Sequence, residues 1–86
     1  MNNRELVALQ IQKHGKDRYP TVQSQLIKLV EEVGELAKEI NAGDYEKTRL
    51  EAADVALALY NLAFKCAFDL DDAIQSVVRA DVRKFD

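Results

Sequence analysis

The chain has 86 residues, 48% of them hydrophobic, and its 12 basic and 15 acidic residues give a formal charge of −3. This length predicts one domain, and the charge argues against a nucleic-acid duplex as the main partner, because phosphate backbones are held by clustered Lys and Arg. A domain this short buries only about 60% of its unfolded surface, so the apolar content predicts self-association, in its simplest form a two-fold homodimer.

Two helices are predicted in the first half of the chain. The first runs from Asn2 to about His14, and the second runs from Thr21 to about Asn41, after a turn over 15–20. Each begins at a residue whose side chain can accept hydrogen bonds from the free N–H groups of the first turn, and a glycine follows each. The second helix has apolar residues on one face and glutamates on the other side, so it is predicted to be amphipathic.

Two more helices are predicted in the second half. Asp44 caps the central helix, whose stretch 50–68 is apolar nearly all round, as in a buried helix. Cys66 falls on its apolar side and is predicted to be an inert core thiol. Asp69 caps the last helix. No segment shows the alternation of a strand, so the predicted fold is all-α: a single domain over 1–86, built as a four-helix bundle and completed by oligomerisation.

Acidic residues stand at helical spacing on the second and the central helix. The short connection between these helices makes them antiparallel neighbours, and spacings of three and four place carboxylates on one side of each helix. Four or five carboxylates are therefore predicted to point into one groove, from the set Glu31, Glu32, Glu35, Glu51 and Asp54. Since each pair of like charges at about 6 Å costs on the order of 3 kcal/mol, such a cluster needs counterions.

A ligand set made only of carboxylate oxygens selects a hard divalent cation, Mg²⁺ or Mn²⁺. One Cys and one His do not make a zinc site, and the helices lack the Glu-x-x-His of di-iron bundles. Mg²⁺ held by a few carboxylates keeps open positions and usually meets its substrate through phosphate oxygens. The chemistry that these residues imply is metal-assisted hydrolysis of a phosphoanhydride.

The two segments that carry these acids, LVEEVGEL (29–36) and EAADVALALYNLA (51–63), resemble the MazG-type all-α nucleoside triphosphate pyrophosphohydrolases, whose signature is EExxE and, after a variable gap, ExxD. The resemblance implies a helical homodimer or homotetramer that uses Mg²⁺ to split a (deoxy)nucleoside triphosphate into the monophosphate and pyrophosphate, clearing surplus or non-standard nucleotides. By position, the metal ligands of the family match Glu32, Glu35, Glu51 and Asp54.

The resemblance also implies roles for residues around the metal. Glu31, the first acid of the motif, is expected to orient or activate water, and with Glu35 it forms the candidate catalytic pair; which carboxylate takes the proton of the attacking water stays open. Relatives use the loop and the start of the second helix near the nucleotide base. In this sequence those positions are Tyr19, Ser24 and Gln25.

The last helix departs from the pattern of the family. Many relatives carry a Lys and an Asn four residues apart there to hold phosphates, and an ungapped comparison places Val77 and Asp81 at those positions. Positive charge for the phosphates is then expected from cations on the central and last helices. These are Lys65, Arg79, Arg83 and Lys84. The last three also fit a basic helix end in solvent.

Two alternative functions stay open. One is the related phosphoribosyl-ATP pyrophosphohydrolase of histidine synthesis, whose EAAD-containing helix looks similar. The other is a non-catalytic helical module that binds a nucleotide or a partner, and the altered last helix favours it. The chain shows no charge-free apolar run of about 18 residues and no signal-peptide pattern, so no membrane partner and a cytoplasmic location are expected.

Overall fold

Four α-helices account for the regular structure of the residues that the structure describes. The fold comes from a computed structural model, which describes residues 1–14 and 18–84; residues 15–17 of the predicted turn lie outside that description. The helices are α1 (Asn3–His14), α2 (Val22–Ala42), α3 (Tyr45–Lys65) and α4 (Leu70–Lys84). No strand occurs in the two described ranges. The predicted all-α fold of four helices is confirmed.

Side-chain caps set the start of α2 and α3. Thr21 and Ser24 form a capping box: Thr21 Oγ1 accepts from the Ser24 N–H at 3.0 Å, and Ser24 Oγ accepts from the Thr21 N–H at 3.1 Å. Gly43, at φ 73°, ends α2, and Asp44 Oδ1 accepts from the Lys47 N–H at 3.0 Å to begin α3. Because Gly43 and Asp44 alone connect them, α2 and α3 pack as an antiparallel hairpin, which is the main tertiary contact of the chain.

Polar contacts hold the start of α4 to α1 and to α3. Asp69 caps it as predicted, with Oδ1 accepting from the Asp72 N–H at 3.1 Å, and its Oδ2 lies 2.5 Å from Arg4 Nη1 of α1. The Tyr60 hydroxyl of α3 donates to Asp71, and this bond is the main reason why the pKa of Tyr60 is raised. These contacts fix the first turn of α4, whereas its later apolar side chains remain exposed.

The central helix is shorter than predicted. It ends at Lys65 because Ala67 adopts a left-handed conformation, at φ 60°. The Ala67 N–H donates to the Phe64 carbonyl at 3.2 Å and the Phe68 N–H donates to the Ala63 carbonyl at 3.1 Å, which closes the helix end. Cys66, just after α3, is exposed, so its prediction as a core thiol is wrong in the single chain.

We expect Ala67→Gly to stabilise the protein. A left-handed conformation costs an alanine more than a glycine, so the substitution should raise the free energy of unfolding by about 0.5–1 kcal/mol. Urea denaturation followed by circular dichroism measures the change. Ala80→Gly, the same change inside α4, is the control and should lower stability by about 1 kcal/mol; equal losses at both positions would contradict this account.

Large apolar faces of the single chain remain uncovered. Among the described residues, only Val7, Gln25, Ala58 and Ala63 are buried. The accessible surface is 6694 Å², whereas a compact monomer of this mass exposes about 5,100 Å². The radius of gyration is 14.9 Å, against about 12 Å for a compact domain of this length. The prediction that α3 is buried therefore does not hold within one chain.

Across residues 1–14 and 18–84, none of the helices has both the length and the apolar character needed to cross a bilayer.

Candidate metal centre

Three of the five predicted acids meet between α2 and α3. Glu32 of α2 and Glu51 and Asp54 of α3 each offer a carboxylate oxygen, and these oxygens lie within 4.8 Å of one another. Glu51 and Asp54 share a side of α3 because they are three residues apart, and the hairpin places Glu32 opposite them. Oxygen ligands of this kind fit a hard divalent cation such as Mg²⁺ or Mn²⁺.

Crowding of carboxylates shifts the titration of Glu51. Its pKa is raised above the ordinary 4.5, first by loss of solvent around the half-buried side chain and then by the negative charges of Asp54, Glu32, Glu35 and Glu39. Both causes penalise the charged form of Glu51. A divalent cation would relieve the repulsion, so the electrostatics agree with the ligand chemistry.

We expect Glu51→Gln to stabilise the metal-free protein near neutral pH. Because the folded pKa of Glu51 is raised, its ionisation penalises the folded state above that pKa, and the penalty disappears below the unfolded value near 4.5. The stability advantage of the variant should therefore shrink as pH falls through this window. Urea denaturation in excess chelator at several pH values measures it. An advantage that is independent of pH would show that ionisation of Glu51 is not its cause.

Lys28 joins the cluster to the loop before α2. Its Nζ lies 2.6 Å from Glu32 Oε1 and 5.8 Å from the centroid of the Tyr19 ring. The hydrogen bond to Glu32 is the main reason why the pKa of Lys28 is raised. Lys28 was not among the predicted site residues. Its spacing of four residues from Glu32 on the same helix does indicate an ion pair between the two side chains.

A groove leads from the acids to the end of that loop. Gln25 forms part of its wall; this side chain is buried, and its Nε2 donates to the Ala58 carbonyl at 3.3 Å. The groove is lined by Gln10, Arg18, Tyr19, Gln25, Lys28, Glu32, Asp54, Leu57, Ala58 and Asn61. Two of the three predicted base contacts, Tyr19 and Gln25, thus line it. The third, Ser24, is bonded within the capping box of α2.

The other predicted site residues lie outside the three-carboxylate cluster. Glu31 and Glu35 are exposed on α2, and Glu35 is close enough to influence Glu51 through its charge. Among the predicted phosphate contacts whose side chains are described, Lys65, Arg79 and Arg83 are not part of the groove lining. Arg79 Nη2 donates to Gln75 Oε1 at 3.3 Å, and Arg83 is exposed. Lys65 ends α3 and is half-buried, and the side chain of Lys84 lies outside the described residues.

The fold and the cluster together define a small all-α domain with an acidic centre suited to a divalent cation. The chain matches the family described as the MazG nucleotide pyrophosphohydrolase domain over residues 20–85, and it therefore belongs to the MazG family. The match includes the hairpin and its three carboxylates, whereas α1 and Tyr19 precede it. Comparisons with curated proteins and with solved structures find no match.

Proposed function

We propose that this protein hydrolyses (deoxy)nucleoside triphosphates to the monophosphate and pyrophosphate, with Mg²⁺ or Mn²⁺ as cofactor. The observation that carries the proposal is that carboxylate oxygens of Glu32, Glu51 and Asp54 lie within 4.8 Å of one another, beside the groove that Tyr19 and Gln25 line. Membership of the MazG nucleotide pyrophosphohydrolase family supports the reaction class.

In this proposal the acids hold the metal and position the attacking water, and Glu35 takes part in both. Glu32, Glu51 and Asp54 hold the metal, and Glu35, on the same helix as Glu32, completes the set. A bound divalent cation supplies polarisation of the phosphoryl oxygens and a lower pKa for the attacking water. Glu31 and Glu35 orient that water, and one of them accepts its proton. Both are exposed and so have room to approach a substrate.

The nucleotide base is assigned to the far end of the groove. Tyr19 offers an aromatic face for stacking, and Gln25 contributes an amide oxygen, since its Nε2 is engaged by the Ala58 carbonyl. Ser24, next to Gln25, supports that wall through the capping box. The triphosphate then extends toward the acids. Its proposed phosphate contacts remain Lys65, Arg79, Arg83 and Lys84 of α3 and α4, of which Lys65, Arg79 and Arg83 do not line the groove of the single chain.

A second copy of the chain is proposed to cover the exposed apolar faces. The surface in excess of a compact monomer, about 1,600 Å² per chain, is in the range expected for a subunit of a permanent dimer. Apolar side chains that are at least 48% exposed mark both candidate faces: Leu26, Ile27, Val30 and Val33 on α2, and Ile74, Val77, Val78 and Val82 on α4. A homodimer is the simplest assembly, and a homotetramer would bury two such faces.

The experiment that tests the function is release of pyrophosphate from a panel of standard and modified nucleoside triphosphates and from phosphoribosyl-ATP, with Mg²⁺ and with excess chelator. We expect the monophosphate and pyrophosphate as products, and no turnover in chelator. Release of orthophosphate would contradict cleavage between the α and β phosphates. Turnover of phosphoribosyl-ATP alone would favour the alternative enzyme, and binding without turnover of either substrate would favour the non-catalytic module.

A further inference from the structure

One cation stands between the acidic cluster and the rest of the groove. Lys28 Nζ is 2.6 Å from Glu32 Oε1, and the two side chains are only 32% and 13% exposed. On its other side, the same Nζ lies 5.8 Å from the Tyr19 ring centroid. Lys28 therefore occupies the path from the loop to the carboxylates.

The pairing partner of Lys28 is itself part of the cluster. Glu32 contributes one of the three oxygens that lie within 4.8 Å of one another. In the absence of another cation, an ammonium on Glu32 partly neutralises three neighbouring negative charges. A divalent cation bound by the same carboxylates would do so more effectively, and it would compete with Lys28, since both interact with the Glu32 carboxylate.

We propose that Lys28 is an exchangeable counterion, which pairs with Glu32 in the metal-free protein and turns to a nucleotide phosphate when a divalent cation takes that carboxylate. The inference rests on the proposed function, and it adds a residue that the family signature does not assign. A lysine ammonium on a flexible stem is a common phosphate contact. With Tyr19 at one end of the groove and the carboxylates at the other, a triphosphate that joins the two must pass beside Lys28.

The metal arm of the test compares Mn²⁺ binding by wild type and Lys28→Met, without nucleotide, by electron paramagnetic resonance of free Mn²⁺. Removal of a competing cation should tighten Mn²⁺ binding by ~5- to 10-fold. Lys28→Arg keeps the charge and should remain near wild type. Lys38→Met removes a charge at an exposed position on the same helix and controls for net charge. Unchanged or weaker Mn²⁺ binding by Lys28→Met would overturn the proposal.

The nucleotide arm measures binding of α,β-methylene ATP at saturating Mn²⁺ by calorimetry. Loss of a phosphate contact should weaken binding of this analogue to Lys28→Met by ~10-fold or more, with Lys38→Met near wild type and Lys28→Arg between the two. The variant thus gains affinity for metal and loses affinity for nucleotide. A lysine with a structural role alone would not shift the two in opposite directions, and unchanged nucleotide binding would overturn the proposal.

Two further results separate the inference from the function on which it rests. If Lys28→Met loses its helical circular dichroism, Lys28→Gln replaces it, with the same expected directions and the same contradicting results. If wild type binds no Mn²⁺, both the proposed function and this inference are overturned. If wild type binds Mn²⁺ and releases pyrophosphate while the Lys28 variants match it, the inference alone is overturned.

Discussion

Replacement of Asp54 by Asn should lower kcat for pyrophosphate release by about a thousandfold. Asp54 contributes one of the three carboxylate oxygens of the cluster, and the amide keeps the size of the side chain while it removes the charge. Metal ions supply several kcal/mol of transition-state stabilisation, and about 4 kcal/mol corresponds to this factor in rate. Steady-state pyrophosphate release at saturating Mg²⁺ measures the effect, and Mn²⁺ binding by the same variant should weaken in parallel.

The control for Asp54→Asn is Glu46→Gln, which removes a carboxylate from the exposed first turn of the same helix. Glu46 pairs with Arg49 at 2.6 Å, and both side chains are more than half exposed, so its loss should cost less than about 1 kcal/mol of stability. Activity should stay within about twofold of wild type. Full activity in Asp54→Asn would remove Asp54 from the proposed site, and equal losses in both variants would point to a general charge effect.

A charge placed on the exposed apolar face of α4 should prevent assembly. Val78 is 53% exposed in the single chain, amid apolar neighbours on the same face. If a second copy covers this face, Val78→Asp buries an unpaired carboxylate there, which costs ~3 kcal/mol or more and weakens association more than 100-fold. Size-exclusion chromatography with light scattering should show a dimer for wild type and a monomer for Val78→Asp.

Ser76→Asp is the matched control, because Ser76 lies on the polar side of α4, where its Oγ donates to the Asp72 carbonyl at 3.1 Å. This variant should assemble like wild type. A wild-type monomer at all concentrations would contradict the proposed homodimer outright. A dimer that persists in Val78→Asp would instead place the interface on α2, where Ile27 is 61% exposed.

The helices and the acidic cluster could be predicted from the sequence, because both depend on interactions between residues that are close together in the chain. Thr21, Asp44 and Asp69 act as caps in the structure as they were predicted to do. The cluster follows from spacing within α3 and from the short hairpin, which together bring Glu51 and Asp54 opposite Glu32. Local hydrogen-bonding chemistry and helical periodicity suffice for such features.

The end of α3, the position of Lys28 and the burial of α3 could not be predicted, because they depend on backbone conformation and tertiary contacts. Ala67 ends α3 in a left-handed conformation that alanine rarely adopts, and so the end of the helix and the exposure of Cys66 were missed. The position of Lys28 Nζ between Glu32 and the Tyr19 ring depends on how the loop before α2 folds back, which the sequence pattern does not specify. Burial of α3 is predicted because apolar residues lie nearly all round the helix. Their distribution does not indicate whether the same chain or a second chain covers them.

The two-residue connection between α2 and α3 limits how the length of the chain can vary. Since each added residue turns a helix by about 100°, a single insertion between Glu32 and Gly43 would carry Glu32 to a different face from the acids of α3. Whole turns added to both helices would leave the facing sides unchanged. Insertions or deletions in this hairpin should therefore total about seven residues, one turn in each helix. A surface loop, in contrast, can gain or lose single residues.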